Sequence, residues 1–213
     1  MLSSATPSLA VLASGRGSNF EALALAARRG ELPGRIVLLL CDRPGAPALE
    51  RARGLGIEAL ALSGGRTRTR LEDERPWLDA LKSRGVDLVL LAGFMRRLHD
   101  PLLQSYPDRI LNIHPSLLPA FPGLDAIAQA FHHGVRVTGC TVHLVDEGLD
   151  AGPILAQEAV AVAEDETLES LEARVHAVEH RLYPASVARF LTEPWRREGR
   201  RVVFGGAAGV SRA

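Results

Sequence analysis

The sequence predicts an α/β domain built on a mostly parallel, twisted sheet, with helices on both faces and an antiparallel C-terminal part. Three observations carry that expectation. Short aliphatic runs alternate with helix-compatible segments of roughly 10 to 20 residues, the pattern of repeated strand, helix, strand units around a sheet buried on both sides. The length, 213 residues with 46% apolar side chains, suits one well-filled core and is short for two ordinary domains. Beyond "RILNIH" the spacing changes, and two apolar runs follow each other closely across a turn-rich link, as antiparallel neighbours do.

The elements run in order along the chain. "LAVLA" (Leu9 to Ala13), "RIVLLLC" (Arg35 to Cys41), "IEALAL" (Ile57 to Leu62), "VDLVLLA" (Val86 to Ala92) and "RILNIH" (Arg109 to His114) are the expected parallel strands. "TGCTVHLV" and "PILAQEAVAV", joined by "DEGLDAG", are the antiparallel pair. A long helix is expected from about Leu168 to Phe190, with "EDET" ahead of it supplying acidic and capping residues. The ends are expected to be loose: a disordered segment over 1–8, and over 192–213 a short strand followed by a mobile small-residue tail.

Composition narrows the function. Twenty-five basic side chains balance 25 acidic ones, so no net field gathers nucleic acid or an anionic membrane, and the expected partners are small molecules. The cysteines, Cys41 and Cys140, sit in apolar runs where a reduced thiol packs as a small hydrophobe, which fits the cytoplasm. "MLSSATPS" lacks the features of a signal peptide, and no apolar stretch approaches the ~20 residues of a membrane helix. Lys82 is the single lysine, which argues against Schiff-base chemistry and lysine-dependent phosphate loops.

Two stretches carry chemistry. "ASGRGSN" puts Gly15 and Gly17 after the first strand and opens a helix at Ser18 or Asn19, where unpaired backbone N–H groups and the helix dipole favour an anion such as phosphate. The same glycines also serve a plain tight turn. In "LNIHPSLLPAFPG", Asn112 and His114 alternate along a strand and therefore share one face at its carboxyl end, where open parallel sheets bind ligands. Pro115, Pro119 and Pro122 stiffen the backbone beyond His114. Asp150 in "DEGLDAGP" is a carboxylate able to orient a histidine and stabilise its protonated form, with Asp146 as the rival acid, although both also suit a turn. An amide, an imidazole and a carboxylate together suggest acyl transfer to an amine, without a serine or cysteine nucleophile.

The set "LASGRGSN", "LLAGFMR", "LNIHPSLLPAFPG", "GCTVHLVDEGLDAGPILAQ" and "EHRLYP" resembles the phosphoribosylglycinamide formyltransferase family over roughly residues 9–191, in the family's order and spacing. The resemblance implies a Rossmann-like formyltransferase fold, a phosphate-binding half over about 9–105 and a catalytic and folate-binding half over about 106–191. It implies formyl transfer from 10-formyltetrahydrofolate to 5-phosphoribosylglycinamide in purine biosynthesis, no metal, and a monomer or homodimer. It assigns Asn112, His114 and Asp150 to catalysis, with His114 as proton donor; Gly17, Ser18 and Asn19 to the phosphate; and Glu179 to the ribose hydroxyls. It also assigns Arg70, Met95, Arg96, Arg97, Leu98, Val145 and Asp146 to the folate, with Asn112 shared. Arg97 stands where the family more usually has an aliphatic residue, and "SGGRTRTR" leaves the position of Arg70 open by a residue or two.

The remaining histidines have simpler expectations. His143 is either a packed, hydrogen-bonded strand residue or a support for the site, and His132 and His133 are expected to face solvent. "HAVEH" (His176 to His180) has the letters of a zinc motif but no obvious third ligand. Two further readings stand beside the transferase. One is a formyltetrahydrofolate hydrolase or methionyl-tRNA formyltransferase, against which the length argues; the other is a non-catalytic nucleotide-binding module, which has no use for a proton donor.

Overall fold

The computed structural model describes residues 6–67 and 69–205. Strand β1 (Ser8–Ala13) is apolar from Leu9 onward and pairs in parallel with β2 (Arg35–Cys41) on one side and β4 (Leu88–Leu91) on the other. Beyond these lie β3 (Glu58–Ala61) and β5 (Ile110–His114), also parallel. β6 (Val137–Leu144) then runs antiparallel to β5, and β7 (Ile154–Ala161) antiparallel to β6. A hairpin of β8 (Trp195–Glu198) and β9 (Arg201–Phe204) completes a nine-stranded sheet of order β3-β2-β1-β4-β5-β6-β7-β9-β8.

Alternation along β1 divides the core. Leu9, Val11 and Ala13 enter one layer, which holds Phe20 and Leu23 of α1 (Ser18–Arg28), Leu49 of α2 (Pro47–Gly54) and Tyr183 and Val187 of α6 (Leu168–Thr192). Ala10 and Leu12 enter the other, with Trp77 and Leu81 of α3 (Arg75–Lys82) and Leu102 of α4 (Asp100–Ser105). Each leucine buried in this way contributes about 1.5–3 kcal/mol. A third cluster joins Ile127 of α5 (Ala126–His133) to Cys140 and to Leu171 and Val175 of α6. Helices thus cover both faces, as the continuous apolar strands require.

The strand order creates the ligand crevice. From β1 the chain passes to β2 and β3 on one side, whereas β4 leads to β5 on the other, so the loops at their carboxyl ends part above the sheet. Two hydrogen bonds stitch the base of this switch point: Ser14 N donates to the Gly93 carbonyl at 3.0 Å, and Met95 N to Ser14 Oγ at 2.9 Å.

Some boundaries differ from expectation. Ser8 already belongs to β1, and the Pro7 carbonyl accepts from Arg35 N at 2.8 Å; residues 1–5 lie outside the described residues. The segment after α6 forms a hairpin rather than one short strand, because Trp195 stacks on Phe190 with centroids 4.6 Å apart and Gly199, at φ 60°, permits the reversal. The small-residue tail expected to be mobile lies, from residue 206 onward, outside the described residues. Among the described residues, no helix is long and apolar enough to cross a membrane.

Candidate functional site

Gly17 is the N-cap of α1 at φ 76°, and a Cβ there would lie 2.7 Å from that of Ala48, so only glycine fits. The first backbone bond of the helix runs from Glu21 N to the Gly17 carbonyl, leaving the N–H groups of Ser18, Asn19 and Phe20 ahead of it as anion donors. Beside them Glu179, 3% exposed, brings its carboxylate across from α6. Its Oε2 accepts from Asn19 Nδ2 at 3.1 Å and from His176 Nδ1 at 2.7 Å, while Arg16 lies 3.3 Å from the other nitrogen of His176. Asn19 Oδ1 is buried without a partner. Donors for an anion next to a buried carboxylate that can accept from hydroxyls suit a phosphorylated sugar. Gly17, Ser18, Asn19 and Glu179 are therefore brought together, 160 residues apart in sequence for the last pair.

At the carboxyl end of β5, Asn112, His114, His143 and Asp150 form a second cluster. His114, 4% exposed, points Nδ1 at Asp150 Oδ2 across 3.5 Å, and its Nε2 donates to the Phe121 carbonyl at 2.9 Å. The Phe121 carbonyl can only accept, so Nε2 carries a proton there, while Nδ1 faces the carboxylate. Asp150 Oδ2 also accepts from Gly123 N at 2.8 Å, which ties the proline-rich loop to the loop between β6 and β7. Register pairs Asn112 with His143 and His114 with Thr141.

His143 is both of the things the sequence allowed: packed, and part of the cluster. Burial is the main force holding its pKa below the ordinary histidine value, so the ring is neutral. Nδ1 faces the Leu144 carbonyl at 2.8 Å and must carry the proton; Nε2 then accepts from Asn112 Nδ2 at 3.1 Å and lies 3.8 Å from Asp150 Oδ1. One amide N–H of Asn112 is thus fixed, and the second is left for a ligand. Thr141 Oγ1 donates to the Ser116 carbonyl at 2.7 Å and accepts from Gln157 Nε2 at 2.9 Å. Gln157 also donates to the Leu118 carbonyl at 2.9 Å, holding the loop after His114 against β7.

The residues assigned to folate divide in two. Arg70 and Arg97 form an isolated parallel bridge, and Arg97 Nη2 donates to the Glu147 carbonyl at 2.9 Å, so both stand with the loop of Val145 and Asp146. Met95 is exposed. Arg96 turns inward instead: its Nε donates to Asp42 Oδ2 at 2.5 Å, and its Nη1 to the carbonyls of Gly64 and Thr67, so its side chain braces the segment that carries Gly64 and Thr67. Leu98 is buried. A cavity of about 460 Å³ beside Arg70, lined also by Glu74, Arg75 and His99, lies at α3 and α4 and contains none of Asn112, His114 and Asp150. His132 and His133 are exposed as expected. Arg16, His176 and Gln157 were not expected in or around the site; the i, i+3 spacing of His176 and Glu179 was the available signal.

The chain belongs to the formyl transferase family, which it matches over residues 8–187. It is 46% identical over 182 residues to the phosphoribosylglycinamide formyltransferase of Bacillus subtilis (strain 168), covering 85% of this chain and 93% of that one. The crystal structure of glycinamide ribonucleotide transformylase 1 from Symbiobacterium toebii superimposes with a TM-score of 0.89 at 47% identity, over 93% of this chain and 94% of that one. A formyltetrahydrofolate deformylase from Pseudomonas syringae shares the fold, with a TM-score of 0.83 over 94% of this chain and 66% of that one, but only 24% identity.

Proposed function

We infer that the chain transfers the formyl group of 10-formyltetrahydrofolate to the amino group of 5-phosphoribosylglycinamide, giving formylglycinamide ribonucleotide and tetrahydrofolate in purine biosynthesis. The observation that carries this reading is the presence, at the carboxyl ends of β1 and β5 in one parallel sheet, of a helix end and carboxylate fitted to a phosphorylated sugar and of an amide, imidazole and carboxylate fitted to acyl transfer. The substrate amine attacks the formyl carbon, the free amide N–H of Asn112 stabilises the oxyanion, joined by the Nε2–H of His114 once it exchanges the Phe121 carbonyl for the substrate, and collapse breaks the bond to the folate nitrogen. The proton lost by the amine returns to that leaving nitrogen. Asp150 holds the imidazole in place and balances its charge. The backbone of 95–98, Arg70 and the loop carrying Val145 and Asp146 bind the folate. Free, buried Cys41 and Cys140 suit a cytoplasmic enzyme.

The test is an assay of purified protein with both substrates, an omitted-amine control and His114→Ala. Amine-dependent turnover, reduced about 10²- to 10⁴-fold in the variant, is the expected result. Turnover without the amine would instead make it a hydrolase, and no turnover with either would restore the binding-module reading.

A further inference from the structure

We propose that Tyr183 is a positioning residue for the formyl transfer, its hydroxyl locking the end of β5, and with it Asn112, to the helix that carries Glu179. The phenol is fully buried beneath the sheet, with Oη 3.0 Å from the Leu91 carbonyl and 3.0 Å from the Leu111 carbonyl. Leu111 immediately precedes Asn112, and Leu91 is the residue that Asn112 faces on β4. Both neighbours of the hydroxyl are acceptors, and burial pushes the phenol well above its usual pKa, so Tyr183 remains a donor shared between the two strands. Glu179 lies four residues earlier on α6, one turn away on the same face. One helix turn thus sets the spacing between the carboxylate of the sugar side and the strand that presents the amide.

A phenylalanine would fill the same volume without the cost of desolvating a hydroxyl, so the O–H serves the strand ends rather than the packing. The inference rests on the proposed role of Asn112, and the experiment separates the two. Tyr183→Phe, Asn112→Ala and the double variant are assayed for kcat and KM at a temperature well below their unfolding transitions. The expected result is a kcat about tenfold lower in Tyr183→Phe, with KM for phosphoribosylglycinamide within about twofold, and no further loss when the change is added to Asn112→Ala. An unchanged kcat, or an equal loss in both backgrounds, overturns the positioning role while leaving Asn112 in place. A normal kcat in Asn112→Ala alone would overturn the catalytic reading of the amide and this inference with it.

Discussion

Asp150 is held at φ 48°, a conformation that asparagine tolerates at least as well as aspartate, and its carboxylate meets Gly123 N and His114 while facing His143. Asp150→Asn therefore keeps the backbone and an oxygen for Gly123 and removes the charge. Its kcat is expected to fall about 10²-fold while the melting temperature stays within a few degrees, measured by steady-state kinetics and thermal unfolding. At this scale much was legible in the sequence. The period of a strand is two, so Asn112 and His114 had to share a face, and the prolines beyond them had to stiffen the loop. Arg96 was not legible, because its direction depends on Asp42, 54 residues away at the end of another strand. His143 stayed open for the same reason: its partner, Asn112, is identified only by antiparallel register.

Among elements, α1 is the most exacting. Gly17→Ala forces a Cβ against Ala48 in a left-handed backbone, and a loss of about 1–3 kcal/mol is expected, together with a higher KM for the phosphorylated substrate as the helix end shifts. Denaturant titration and kinetics check the two parts separately. On α6, Thr167 Oγ1 accepts from Ser170 N at 3.1 Å, and Thr167→Ala is expected to cost about 1 kcal/mol by the same titration. The "EDET" signal identified that cap from sequence, and β2 appears over the same seven residues that the apolar run marked. The terminal hairpin was missed because what docks it is a stacking contact between Trp195 and Phe190 and one parallel pairing of Ile154 with Arg201, neither of which leaves a periodic trace.

Across the whole molecule, burial pushes His143 and His180 below the ordinary histidine value. The unfolded chain binds these protons near pH 6.5 and the folded chain resists them, so their contribution to stability is full above that pH and is lost as the pH falls below it. Glu74, which burial pushes upward, acts oppositely: its penalty is felt as the pH rises above the ordinary carboxylate range and is relieved on acidification. The urea midpoint is expected to fall between about pH 7 and pH 5, less steeply in His180→Gln and more steeply in Glu74→Gln. Unfolding curves at several pH values decide this, and a pH-independent midpoint would contradict it. The layered sheet was legible because β1, β2 and β4 at its centre are aliphatic runs, but the edge order beyond β7 was not, since exposed strands carry no such mark.

The bond between Asn19 and Glu179 closes a loop of 160 residues. A ribosome releases the glycine loop and β5 before α6, so the strand carrying Asn112 and His114 is present in the nascent chain before Glu179 can reach Asn19. Long-range closures of this kind form late and open early. Chains interrupted before α6 would therefore keep the helix end of the proposed sugar-phosphate subsite but lack its carboxylate, and binding of the phosphorylated substrate would favour the chain that has formed α6 over its partly folded forms.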